Sequence, residues 1–324
     1  MSVVTHLGFP RIGLKRELKR SLELFWRGEI DASALADTAA GLRRRHWKLA
    51  RDAGADVVPA NDFSLYDHVL DHAVLFDAVP ESHRALLDAD PLAGYFALAR
   101  GKQSGGYDLR ALEMTKWFDT NYHYLVPELH GEQVFRLRGD KPVAQFKEAQ
   151  AAGHAARPVL LGPVSFLLLA KRVDGGDRLA LLDRLLPCYV ELLRQLRDAG
   201  AEWVQIDEPC LVLDADAATQ DAYRHAYAAL APAGPRVMLA TYFGALAGNL
   251  ALAASLPVDG LHIDLVRAPE QLDTVLAALP LGMTLSLGVV DGRNIWRADL
   301  DRALALALRA RDALGTDRLW LAAS

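Results

Sequence analysis

Short apolar runs alternate along this chain with longer segments in which leucine and alanine recur every three to four residues. From residue 157 onward the alternation is regular. The runs are PVLLGPV (158–164), WVQIDEPCLV (203–212), RVMLATYF (236–243), GLHIDLV (260–266), TLSLGVV (284–290) and RLWLAAS (318–324). Near-continuous apolar runs with amphipathic segments between them are what a helix-covered parallel sheet requires, because its strands are buried on both faces. The segments at 178–201, 221–234 and 303–315 read as helices that end at Gly200, at Pro232 with Gly234, and at Gly315. Gly and Pro are ordinary helix stop signals. Pro187, inside the first of these, predicts a kink or a break.

Two further runs lie upstream, VVTHLGFP (3–10) and ADVVPANDF (55–63), separated by a helical stretch over 32–54. The total is eight, the number of strands in a (β/α)8 TIM-type barrel. Residues 63–150 exceed the needs of one βα unit and read as an insertion over one end of the barrel, with a Gly-interrupted helical stretch at 98–118 and a hairpin at 122–139. The rival architecture is an open doubly wound sheet, which calls for a Gly-rich nucleotide turn after its first strand. Neither GxGxxG nor GxxxxGK[ST] is present. The last run stops at the chain end with no eighth outer helix to cover it. A buried strand without its cover leaves an apolar face exposed, so the chain is expected to be part of a longer protein or to have a partner over that gap.

Composition narrows the function only modestly. With 52% apolar and 24% charged residues the chain is an ordinary globular protein, and a formal charge of −5 argues against a general nucleic-acid binder. The longest apolar stretch, 158–170, is too short to span a bilayer. Cys188 and Cys210 show no CxxC spacing and follow no secretory leader. A reducing, cytoplasmic location is the expectation.

Any basic site must therefore be local, and one stands out. After the first run, Pro10 breaks the chain, and Arg11, Lys15, Arg16, Lys19 and Arg20 follow within ten residues. Lys15 and Lys19, four apart, share a helix face, as do Arg16 and Lys19, three apart. Cations near a helix N-terminus oppose its dipole, a cost that a bound anion would relieve. The alternative is a solvated basic face. Strand tips supply Asn61, Asp62, Asp207, Glu208, Tyr242, Asp264, Asp291, Arg293 and Asn294, the positions that build sites in α/β barrels. Asp207 and Glu208 are adjacent, so at most one points into the barrel mouth; Asp207 is also a candidate acceptor of loop N–H groups. His68 and His72 form HxxxH without the glutamate of HExxH, and no tight zinc site is expected. Lys116 lies among Trp117, Phe118, Tyr122 and Tyr124, which could stack on a flat heterocycle while the lysine meets a carboxylate; the alternative is that these aromatics are core.

Taken in order, LGFPRIGLKRELK, PANDFSLYDHVL, EMTKWFDTNYHYLVPE, LLGPVSFL, WVQIDEPCLVL, ATYF, GLHIDLV and GRNIWRADL, spread over residues 7–300, closely resemble the N-terminal half of cobalamin-independent methionine synthase, the 5-methyltetrahydropteroyltriglutamate–homocysteine methyltransferase. The resemblance implies two face-to-face barrels, of which residues 1–324 form the first. It places zinc and homocysteine in the second, and the methyl donor between them. It also implies that Arg16, Glu17, Leu18, Lys19 and Lys116 contact the folate and its glutamate tail, with Lys15, Asp207 and Arg293 as weaker candidates. No catalytic residue, metal or cobalamin is implied for this chain. Zinc chemistry does not transfer to Asn61 or Asp207, because the ATYF tip carries no Cys or His. The anion of the basic turn would be the polyglutamate tail, and the isolated chain is expected to lack turnover. Two other readings stay open: a self-sufficient barrel enzyme related to uroporphyrinogen decarboxylase, and a stand-alone folate-binding or interaction module.

Overall fold

A computed structural model describes residues 2–324. Eight parallel strands form one curled sheet: β1 (Val3–Val4), β2 (Val58–Ala60), β3 (Ala156–Leu161), β4 (Trp203–Asp207), β5 (Arg236–Ala240), β6 (Gly260–Asp264), β7 (Thr284–Val290) and β8 (Leu319–Ala323). Each apolar run became a strand. Pairing follows chain order from β2 to β8, and β8 pairs back onto β1. The remaining junction, β1 to β2, is joined by the carbonyl of Val4, which accepts from Asp56 N at 2.8 Å, and by the Thr5 hydroxyl, which donates to Val57 O at 2.8 Å. The result is the (β/α)8 barrel.

Helices cover the outside because their apolar stripes face the strands. α1 (Glu17–Trp26) and α2 (Ala32–Asp52) follow β1. α3 (His68–Leu75), α4 (Glu81–Ala89), α5 (Pro91–Arg100) and α6 (Lys141–Ala151) lie between β2 and β3. α7 (Pro163–Leu169), α8 (Leu182–Asp198), α9 (Ala217–Leu230), α10 (Leu250–Ser255), α11 (Leu272–Ala278) and α12 (Leu300–Leu314) separate the later strands. α8 runs through Pro187 without a break. The proline is the sixth residue of the helix, so it removes one hydrogen bond near its N-terminal end while Leu185, Leu192, Leu193 and Leu196 remain buried.

The insertion departs from its sequence reading. Its helical stretch ends at Arg100, and residues 101–113 run through bends and one isolated bridge, Lys102 to Leu109. The hairpin joins Met114–Lys116 to His123–Leu125. Residues 128–129, expected within a hairpin, instead pair in parallel with Lys171–Arg172. Alternation alone did not fix the register, because all three residues of the first hairpin strand are exposed and carry no buried face to specify it.

The barrel interior is unusually polar. Trp203 and Trp320, on strands that are not neighbours, meet across it at 4.9 Å between rings, and Arg157 lies 5.4 Å above the Trp320 ring. Gln205, His262 and Ser286 are buried there too.

Candidate functional site

The basic turn is built by its backbone. Gly13 holds φ +83, and a Cβ there would lie 2.3 Å from a Glu17 carboxylate oxygen and 2.8 Å from Leu42 Cδ2. Arg16 takes the left-handed conformation (φ 59) at the start of α1 and provides no side-chain cap. Glu17 instead fixes the turn ahead of the helix: its carboxylate accepts from Lys15 N at 2.9 Å and pairs with Arg45 at 2.9 Å. Backbone N–H groups, its own first, and Arg45 hold that carboxyl below its ordinary range. Leu18 is fully buried, backbone included, in the core under α1 and α2, and its N–H donates to Ile12 O at 3.2 Å, so it anchors the turn and offers no group to a ligand. Lys15, Arg16, Lys19 and Arg20 are exposed, with Lys19 3.8 Å from Glu23. The turn is thus a bonded scaffold presenting exposed cations.

Lys116 is exposed on its hairpin, whose turn places Phe118 at φ 51. Trp117 and Tyr124 are buried and act as core, Phe118 is half-buried and Tyr122 is exposed. Lys116 and Phe118 line a cleft of about 350 Å³ together with Leu168, Leu169, Leu213 and Arg178. The hairpin and the basic turn, about a hundred residues apart in sequence, share one anchor. Arg11 Nη1 donates to Leu65 O at 3.3 Å, and Leu125 N donates to Asp67 Oδ2 at 3.1 Å, while the other oxygen of Asp67 caps α3. The His68 ring also meets Trp117 edge-on at 4.4 Å.

The strand tips divide by orientation. Asp207 points to the mouth, where it accepts from Gln205 Nε2 (2.6 Å) and Tyr242 OH (3.1 Å); burial pushes its carboxyl up to about 7. Glu208 points the other way and accepts from Ser165 N (2.7 Å) and Val164 N (3.3 Å) at the start of α7, so the N–H-accepting role proposed for Asp207 belongs to its neighbour. Asn61 is buried and spans Val159 O and Lys141 Nζ. Asp62 accepts from Phe9 N at 2.8 Å. Asp264 accepts three backbone N–H groups, and Asp291 orders its own loop through Arg293 N and Asn294 Nδ2. Arg293 lies 5.1 Å from the Phe243 ring and, with Arg267, flanks Asp119 of the hairpin. Asn61 and Phe243, with φ 65 and 78, carry backbone strain at this end of the barrel, where such strain commonly marks function.

His68 and His72 stand on α3 as the spacing required, but His72 Nε2 accepts from Leu161 N at 3.0 Å and is committed to β3. Among the described residues no three His, Cys, Asp or Glu side chains converge to hold a metal ion, and no helix is long and apolar enough to cross a membrane. Sequence reasoning missed Arg157 and Gln205, whose signal was a charged and a polar residue inside otherwise apolar strand runs.

Fold and site together define a (β/α)8-barrel domain that presents exposed cations at an elaborated end. The chain belongs to the family of cobalamin-independent synthase N-terminal domains, whose model matches residues 3–314. It is 66% identical over its full length to a 5-methyltetrahydropteroyltriglutamate–homocysteine methyltransferase of Xylella fastidiosa, of which it covers 43%. A protein of the same name from Chelativorans is 57% identical over 92% of this chain, and 40% of that protein is covered. The chain thus spans about two fifths of these relatives. The fold is similar to that of a putative vitamin-B12-independent methionine synthase from Listeria monocytogenes (TM-score 0.66, 14% identity, 100% of this chain and 92% of that one). A B12-independent methionine synthase from Shewanella matches equally in TM-score (0.66, 14% identity), over 91% of this chain and 82% of that one.

Proposed function

We propose that this chain is the folate-positioning half of a cytoplasmic enzyme that transfers the N5 methyl group of 5-methyltetrahydropteroyltriglutamate to homocysteine, giving methionine, and that it does not turn over alone. The names of its relatives support the reaction. The observation that carries the role is the common anchoring of two exposed cationic elements, the basic turn and the Lys116 hairpin, on the Leu65–Asp67 turn. An oligo-carboxylate tail is the ligand for which several separate cations are useful, each contributing a screened attraction. Arg16, Lys19 and Lys116 are assigned to it, with Glu17 fixing the turn, Leu18 anchoring it in the core, and Lys15, Asp207 and Arg293 at the periphery. Zinc and homocysteine belong on this reading to the remainder of the protein, because the side chains here do not fit a metal.

Calorimetric titration with 5-methyltetrahydrofolate bearing one or three glutamates tests the reading. The triglutamate should bind at least fivefold more tightly at low salt, and the advantage should shrink at high salt and on Lys19→Ala or Lys116→Ala. Equal affinity for both forms, insensitive to salt, would discard it.

A further inference from the structure

The loop that carries the basic turn is tied to the inside of the barrel. Arg157, 1% exposed, donates through Nη2 to Gln205 Oε1 (2.5 Å) and to the carbonyl of His6 (3.3 Å). Gln205, fully buried, then donates through Nε2 to the carbonyl of Leu7 (3.3 Å) and to Asp207 Oδ1 (2.6 Å). The amide orientation is forced, since a guanidinium only donates and the carbonyl of Leu7 only accepts. Asp207 in turn receives Tyr242 at the mouth. One chain of hydrogen bonds thus runs from the loop after β1, through β3 and β4, to the tip of β5. The stretch from His6 to Phe9 is not part of a strand and is held by side chains from elsewhere; Phe9 is bonded by Asp62 and stacked on His46 at 4.3 Å.

Stability does not account for Arg157. Among the described residues its Nε and Nη1 have no hydrogen-bond partner and no carboxylate lies within ion-pair distance, which leaves the Trp320 ring as its other contact. Desolvating a charge with so few partners costs more than those partners return, so its presence is weak evidence for a stabilising role. We infer that Arg157 and Gln205 are positioning residues: they hold the His6–Leu7 backbone so that the basic turn stands at a fixed place relative to the Asp207–Tyr242 mouth. The inference rests on the proposed function for its consequence, but not for its geometry.

Arg157→Met and Gln205→Met test it, with hydrogen exchange and folate titration read on the same samples. Thermal stability should be unchanged or raised in Arg157→Met. The amides of Phe9 and of residues 11–19 should exchange at least tenfold faster, and the affinity advantage of triglutamate over monoglutamate should fall at least fivefold with monoglutamate binding retained. Should Arg157→Met fail to fold, Gln205→Met carries the same expectations for exchange and binding, because it cuts the bond to the Leu7 carbonyl while Arg157 keeps the His6 carbonyl. Unchanged exchange in the turn overturns the inference whatever the ligand does, and so does faster exchange with the triglutamate advantage intact. If the wild type itself shows no triglutamate advantage, the proposed function fails, and the exchange data alone still decide whether Arg157 holds the turn.

Discussion

Glu208 lies one residue beyond β4, and its carboxylate, fully buried, closes N–H groups at the start of α7 while Tyr227 donates to it at 3.3 Å. Burial outweighs these bonds and pushes its carboxyl up to about 7 from an ordinary 4.5. A carboxyl raised on folding stabilises the protein most below its unfolded pKa, and that contribution disappears as pH rises through the folded value. Glu208→Gln should therefore gain on the wild type, by roughly 3 kcal/mol between pH 4.5 and 8, since each pKa unit is worth about 1.4 kcal/mol. Urea denaturation of both proteins across that range is the check, and a constant difference would show that Glu208 titrates normally. The adjacent Asp and Glu were readable as pointing to opposite faces. Which of them served the backbone was not, because that depends on α7 approaching from residues more than forty positions away.

At the scale of elements, Gly94 separates local from tertiary reasoning. It lies inside α5, where alanine is favoured over glycine by about 1 kcal/mol on propensity alone. Yet a Cβ at this position would sit 2.5 Å from Leu87 Cα and 2.8 Å from Leu87 N on α4, backbone atoms that cannot rotate aside. Overpacking of this kind costs about 1–3 kcal/mol. Gly94→Ala should destabilise the protein by that amount, seen as a lower denaturation midpoint; a raised midpoint would mean that the two helices can separate freely. The hairpin makes the same point from the other side. Its aromatic residues and Lys116 were visible in sequence, but the pairing of 114–116 with 123–125 was not, because exposed strands carry no alternation to read.

For the molecule as a whole, two sets of buried groups oppose one another in pH. Burial lowers His68 and His262 to about 3 and His46 and His72 to about 4, so their contribution is present above 6.5 and is lost as pH falls toward those values. Burial raises Asp62 to about 6 and Asp67, Asp207 and Glu208 to about 7, and their contribution is lost as pH rises from about 4 through those values. Between pH 5 and 6.5 the slopes cancel, so the melting temperature should vary much less than either set alone would give. A steep change across that window would show that one set is solvated in solution.

The sequence by itself determined the eight strands, the helices α2, α8, α9 and α12, the cationic turn after Pro10 and the exclusion of a nucleotide loop, because each is written in a period or a spacing of a few residues. Tertiary structure alone decided that Arg157 and Gln205 meet the His6–Leu7 backbone inside the barrel, that Leu18 is core while Lys19 is exposed, and that the basic turn and the Lys116 hairpin share an anchor. Those relations join residues from fifty to about two hundred positions apart. They arise from barrel closure, and no local pattern of polar and apolar positions records which strands face each other across it.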